Sequence, residues 1–264
     1  MHRLLVALAL FTGSAQAGVY LEMSHVDLSE PRAPAEVSKF WAQDGRARTE
    51  AADSDGEYMI FRDQQMIMVQ PKKRSYRVMD KTTVDALGAR MADMRRQMEA
   101  QMANLPPEQR AAMQRMMGGR MPGAAQEAPK RRAQATSRSE TVGGRSCRIW
   151  EIYEGTTKDE ELCVVPPGSL PGGDEFYAIM KNMAAMMEGM VKALGSMGDV
   201  DDYFRDMERI DGIPILSRDF SKGKATDETR MSVVRKETVP PAAFEVPKGF
   251  KKLSMGPDMD DDGD

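Results

Sequence analysis

Glu57-Tyr58-Met59-Ile60-Phe61-Arg62, Gln65-Met66-Ile67-Met68-Val69-Gln70 and Ser75-Tyr76-Arg77-Val78-Met79 decide how this chain folds. Each run is strand-length, and each is cut off by turn chemistry, Arg62-Asp63 and then Pro71-Lys72-Lys73. Met59 and Phe61 alternate with Tyr58 and Ile60, and Met66 and Met68 alternate with Ile67 and Val69. Apolar groups therefore point to both faces, as in a sheet covered on both sides. Working back toward the N-terminus, Arg46 to Ala51, Glu36 to Ala42 and the alternation Val19, Leu21, Met23 read as further strands. Asp44-Gly45 and Asp55-Gly56 supply hairpin turns. The first third is thus expected to be an antiparallel meander of about six strands.

Beyond residue 80 the period changes. Leu87, Met91, Met94, Met98, Met102 and Leu105 form one helical stripe, with Arg90, Arg95, Arg96, Gln97 and Glu99 on the other side. Pro106-Pro107 ends this helix, and Met113, Met116 and Met117 continue a second short one to Gly118-Gly119. Residues 118 to 138 are rich in Gly, Pro, Ala, Gln and basic side chains and read as a flexible linker. Strands return at Glu140 to Val142, Ser146 to Tyr153 and Glu161 to Val165, with a turn at Gly155 to Asp159. A second Met-rich helix is expected from Asp174 to Met197, with Asp174 as cap and Gly198 as stop. Its stripe is Phe176, Ile179/Met180, Met183, Met187, Met190, Leu194 and Met197. Strands resume from Tyr203, through Ile213 to Leu216, Ser217 to Phe220 and Thr229 to Glu237. Residues 254–264 form an acidic tail, read as disordered.

This order predicts an α+β fold in which a strongly curved antiparallel sheet wraps two Met-rich helical segments. The N-terminus adds a compartment. Arg3, the apolar run Leu4 to Phe11 and the small-x-small site Ala15-Gln16-Ala17 read as a cleavable signal peptide over residues 1–17. No later apolar run is long enough to span a bilayer, so no transmembrane span is expected. In an exported chain, Cys147 and Cys163, on two adjacent predicted strands, are expected to form one disulfide.

Composition narrows the function. The chain has 264 residues with a formal charge of −4, which argues against a general nucleic-acid binder. With two His and two Cys there is no zinc-finger pattern, and no metal site or cofactor is expected. No nucleophile elbow, P-loop or dinucleotide fingerprint occurs in a suitable context, and no catalytic residue is expected. His25 reads as structural, and Asp201-Asp202 and Glu160-Glu161 read as solvated turn residues. Lys130-Arg131-Arg132 suits anionic lipid head groups or plain solvent. Asp258 to Gly263 opens like an EF-hand loop but lacks the glutamate at position 12.

Several stretches together resemble a bacterial periplasmic family of unknown function related to the LolA/LolB-type lipoprotein carriers. They are Phe40-Trp41 with Gly45-Arg46-Ala47-Arg48, Met66-Ile67-Met68-Val69 with Pro71-Lys72-Lys73-Arg74-Ser75-Tyr76, and Gly143-Gly144-Arg145-Ser146-Cys147. Gly212-Ile213-Pro214 and Phe244-Glu245-Val246-Pro247-Lys248-Gly249-Phe250 complete the set. The resemblance implies one LolA-like domain over 18–253: an unclosed β-barrel whose concave face holds helices and can hold acyl chains. The Met-rich helical and flexible insertion at 81–138 and the disulfide depart from the carriers.

The 24 methionines carry the functional question. They serve as core faces of amphipathic helices, as an adaptable apolar binding surface, or as thioether ligands of copper(I) or oxidisable groups. The regular three-and-four spacing favours packing. The binding reading assigns ligand contacts to Met91, Met94, Met98, Met102, Met183, Met187 and Met190, with Trp41 and Phe61 from the sheet. Its expected partner is a lipid, a lipoprotein or another apolar ligand. The third reading is an envelope protein partner docking on Met113 to Arg138. Sequencing the N-terminus of the exported protein is expected to read from Gly18; a start at Met1 would overturn the export reading.

Overall fold

A computed structural model of the protein describes residues 18–30, 32–52, 54–103, 106, 131–194 and 209–254. The expected signal peptide (1–17), the second short helix, most of the linker, Asp201-Asp202 and the tail beyond 254 lie outside the described residues. The order begins with β1 (Gly18–Asp27), β2 (Glu36–Gln43), β3 (Arg46–Glu50), β4 (Tyr58–Arg62), β5 (Gln65–Gln70), β6 (Ser75–Met79) and α1 (Lys81–Ala103). It continues with β7 (Arg131–Val142), β8 (Arg145–Glu154), β9 (Thr157–Val165), α2 (Gly173–Leu194), β10 (Ile213–Ser221), β11 (Lys224–Glu237) and β12 (Lys251–Leu253).

All twelve strands belong to one sheet, ordered β12-β6-β5-β4-β3-β2-β1-β11-β10-β9-β8-β7. It is antiparallel except where β12 joins β6, and its two ends do not pair, so it is an unclosed barrel. The tight turns are built by residues that tolerate positive φ: Asp44-Gly45 (53° and 72°), Asp63-Gln64 (51° and 55°), Gly143-Gly144 (55° and 77°) and Lys222-Gly223 (51° and 78°). Two consecutive positive φ values give the turn whose twist matches flanking strands.

The meander is dry on both faces, as its alternation implies. Phe40, Ala42, Ala47 and Phe61 face α2 in one core with Val19, Leu21 and Ile179. Ile60, Ile67, Val69 and Val78 face the other way, under Val239 and Phe244 of the C-terminal segment. Gln43 holds that segment down, its Oε1 accepting from the Val239 N–H at 2.8 Å. A close approach sets the entry of α2. Gly172 has φ 72°, and a Cβ there would meet Val19 Cβ at 2.8 Å, so only glycine fits. The helix starts at Gly173, with Phe176 N–H donating to Gly172 O, and Asp174 stands in the first turn instead of capping it.

Three local expectations change. Residues 131 to 138 are not linker but the start of β7, because Ala133 and Ala135 pair with Ile152 and Trp150, and Ala133 packs in their cluster. Arg131 is likewise not a solvated loop cation: it pairs with Asp159 (2.7 Å) and Glu160 (2.9 Å). Arg132 lies over the Tyr153 ring at 5.2 Å. Glu160 and Glu161 stand inside β9, where the hairpin turn is only Gly155-Thr156, and Glu161 is buried.

Cys147 and Cys163 form the expected disulfide across β8 and β9, 16 residues apart. Replacing both by Ala is expected to lower unfolding free energy by about 3 kcal/mol, the chain-entropy value for such a loop. Urea midpoints of the two proteins measure it, and equal midpoints would remove the disulfide from the stability argument.

Candidate binding cavity

The sheet curls around a space. Met59 of β4 and Arg131 of β7 line the same cavity. In a flat sheet at ~4.8 Å per strand they would stand about 38 Å apart. The cavity has a volume of about 720 Å³ and opens between the concave face and α2. Its floor is a cross-strand row set by register: Leu21 opposite Phe40, Phe40 opposite Thr49, and Thr49 opposite Met59. Met23 opposite Met231 continues it onto β11. Leu162, Ile213 and Pro214 extend it along β9 and β10.

The roof is α2, through Phe176, Tyr177, Met180, Met183, Ala184 and Ala185. Phe176 meets Phe40 edge to face with centroids 5.0 Å apart. Glu175 accepts from the Asp44 N–H at the β2–β3 turn. On the other side Tyr177 Oη donates to Asp211 at 3.3 Å. Burial, and then the Asp211 carboxylate, push the Tyr177 hydroxyl above its ordinary range. The helix is therefore fastened to both walls of the cavity it covers.

One end is polar. Glu160 accepts from Ser217 Oγ at 2.8 Å and from Arg131 at 2.9 Å. Burial pushes its carboxyl above the usual range, against the pull of Ser217 and Arg131. Asp219 lies opposite Glu160 on one side and Asp227 on the other. Burial, and then the charges of Asp227 and Asp159, raise its carboxyl too. His25 stands outside the lining beside this row, with Nδ1 3.1 Å from Thr229 Oγ1 and Nε2 3.6 Å from Asp227. Among the described residues no group of three or more His, Cys, Asp or Glu is placed to hold a metal ion.

The structure gathers only part of the residue set expected to touch a ligand. Met183 lines the cavity. Phe61 is buried in the core on the same face, and Met187 is half-buried one turn further along α2. Trp41 stands on the opposite face, 5.2 Å from the Tyr20 ring and packed against the second core. On α1, Met91 and Met94 are 46% and 68% exposed and Met98 is half-buried; none of the three lines the cavity. The side chains of Met102 and Met190 lie outside the described set. Conversely, Met23, Met59, Met231, Leu21 and Phe40 line it without having been singled out. Their signal is cross-strand register, which a single strand's pattern does not carry. Phe176 and Met180 were visible in the helical stripe.

No protein-family model matches the chain, and no curated protein matches it. Solved structures similar in backbone include an uncharacterised conserved protein from Thermus thermophilus, with TM-score 0.41 and 6% identity over 90% of each chain. A chain of the Pseudomonas aeruginosa MucA/MucB complex matches with TM-score 0.39 and 8% identity, over 88% of this chain and 56% of that one. This protein thus spans little more than half of that chain. A LolA superfamily protein from Nitrosomonas europaea matches with TM-score 0.31 and 10% identity, over 87% and 90%.

The carboxylate row makes a pH prediction. Because the folded-state carboxyl of Asp219 is raised, its contribution to stability is present at low pH and lost as pH rises through that value. Asp219→Asn is expected to gain about half a kcal/mol at pH 7 and low salt, less at high salt, and nothing once the native carboxyl is protonated. Melting curves across pH check this, and a loss at pH 7 would reverse the sign.

Proposed function

We propose that this chain is a non-enzymatic periplasmic binding protein whose residues 18–253 act as one LolA-like unit. Its cavity would take a lipid, an acylated protein or another apolar ligand. The observation that carries the reading is the 720 Å³ space walled mainly by Leu, Ile, Phe, Met and Ala, with polar side chains such as Thr49, Lys181 and Ser217 set among them. That size and lining are those of small-molecule sites, which run roughly 300–1,000 Å³. No helix among the described residues is long and apolar enough to cross a membrane. The disulfide suits an oxidising compartment, in keeping with the export signal read at residues 1–17.

Copper(I) binding is the second reading, since Met23, Met59, Met180, Met183 and Met231 line the same space. Native mass spectrometry of protein taken from the periplasm without chelator separates the two. Added mass of a lipid-like molecule, removed by organic solvent, supports the binding reading. Mass added in copper steps supports the metal. A bare protein that also fails to bind the neutral dye N-phenylnaphthylamine overturns both. Met183→Lys, which places a charge in the roof, is expected to weaken dye affinity by about tenfold or more.

A further inference from the structure

Both cysteines are locked in the disulfide and no free cysteine exists, so thioethers are the sulfur open to two-electron oxidation in this chain. Five of them surround the cavity. Met23 and Met231 are cross-strand partners on the floor, Met59 stands further along it, and Met180 and Met183 project from one face of α2. Met23, Met59, Met180 and Met183 are half-buried, within reach of a small oxidant entering the open cavity, while Met231 is 7% exposed. We propose that these methionines are an oxidation site through which peroxide empties the cavity of its apolar ligand, a proposal that rests on the binding function above.

The step is a single oxygen transfer. Hydrogen peroxide gives one oxygen to the thioether sulfur, the O–O bond breaks, water leaves, and sulfur is oxidised by two electrons to the sulfoxide. An apolar, pliable side chain becomes polar, with a strong acceptor oxygen. Leu21, Phe40, Phe176 and Ile213 beside the methionines offer no side-chain donor, whereas Ser38 opposite Met23 and Thr49 opposite Met59 each carry one hydroxyl. Whether a hydroxyl or water satisfies the new oxygen, the wall it stands in becomes polar, and a polar wall holds an apolar ligand less well. Leucine would line the cavity equally well without this liability. Exposed Met91 and Met94 on α1 oxidise as well, outside the cavity, and leave its walls unaltered.

The test is titration with N-phenylnaphthylamine before and after hydrogen peroxide, with sulfoxides placed by peptide mass spectrometry. Each protein is compared with itself. The full chain is expected to bind about tenfold more weakly after treatment, about 1.4 kcal/mol. Its circular dichroism should be unchanged, and methionine sulfoxide reductases should restore its affinity. M91L/M94L should lose affinity on treatment as the native protein does. M23L/M59L/M180L/M183L should show the same affinity before and after. Sulfoxide on the cavity methionines with unaltered dye affinity would overturn the proposal. So would their failure to oxidise, or a loss of binding that accompanies unfolding. If untreated protein never binds the dye, the binding function itself falls.

Discussion

The packing of α2 into the concave face is the constraint on which the rest depends. Ile179 is 1% exposed and sits in one core with Val19, Phe40, Ala42 and Ile213. Without the helix that row of apolar side chains would face water at the bottom of an open trough. A twelve-stranded sheet that does not close must bury this face against something inside it. The chain does so at a fixed depth, since Gly172 lets the backbone come down onto Val19 and Phe176 lands on Phe40. From Phe176 to Ala185 the helix roofs the cavity, and Ala184 and Ala185 are the shortest side chains in that roof.

The convex face is solved in two ways. Over β2 to β6 it is covered by the C-terminal segment, with Phe244 fully buried. Over β7 to β11 it carries charge in cross-strand order. Arg218 bridges Glu140, Glu161 and Glu228, while Arg138 and Lys158 also reach Glu161. Burial alone would raise the Glu161 carboxyl, but hydrogen bonds from Lys158 and Arg138 outweigh it and hold it below its ordinary range. Glu161 thus contributes stability above its ordinary range that is lost in acid, whereas Asp219 on the other face does the opposite. The two carboxylates respond to acid with opposite sign because burial, helped by Asp227 and Asp159, prevails at Asp219, whereas hydrogen bonds from Lys158 and Arg138 prevail over burial at Glu161.

How far the sequence revealed this varies with the range of the interaction. β5 and β6 stand where alternation and turn residues put them, because both signals are local. The two-sided burial of β4 was legible in Met59-Ile60-Phe61 for the same reason. β7 was hidden, since Arg131, Gln134 and Arg138 look like linker until Asp159, Glu160, Glu151 and Glu161 of neighbouring strands stand opposite. The α1 stripe was regular, yet Met91 and Met94 are exposed: a 3.6-residue period shows that a helix has an apolar side, not what covers it. The cavity wall was the least legible part, because Leu21, Phe40 and Met59 become neighbours only when four strands lie in register.

The size of the cavity bears on what it is for. An empty apolar void costs about 24 cal/mol per Å³, so a closed, dry space of 720 Å³ would cost roughly 17 kcal/mol. That exceeds the whole stability of an ordinary domain, about 5–15 kcal/mol. A space this large is therefore not a packing defect that the fold could carry; it must be filled by solvent or by a ligand. Leucine in place of half-buried Ala184 would have narrowed it at little cost in helix propensity. The chain instead sets short side chains beside pliable thioethers, Met180 and Met183, over a floor that holds Met23 and Met59. Such walls adjust to the shape of what lies between them, which is the property that the proposed apolar guest would use.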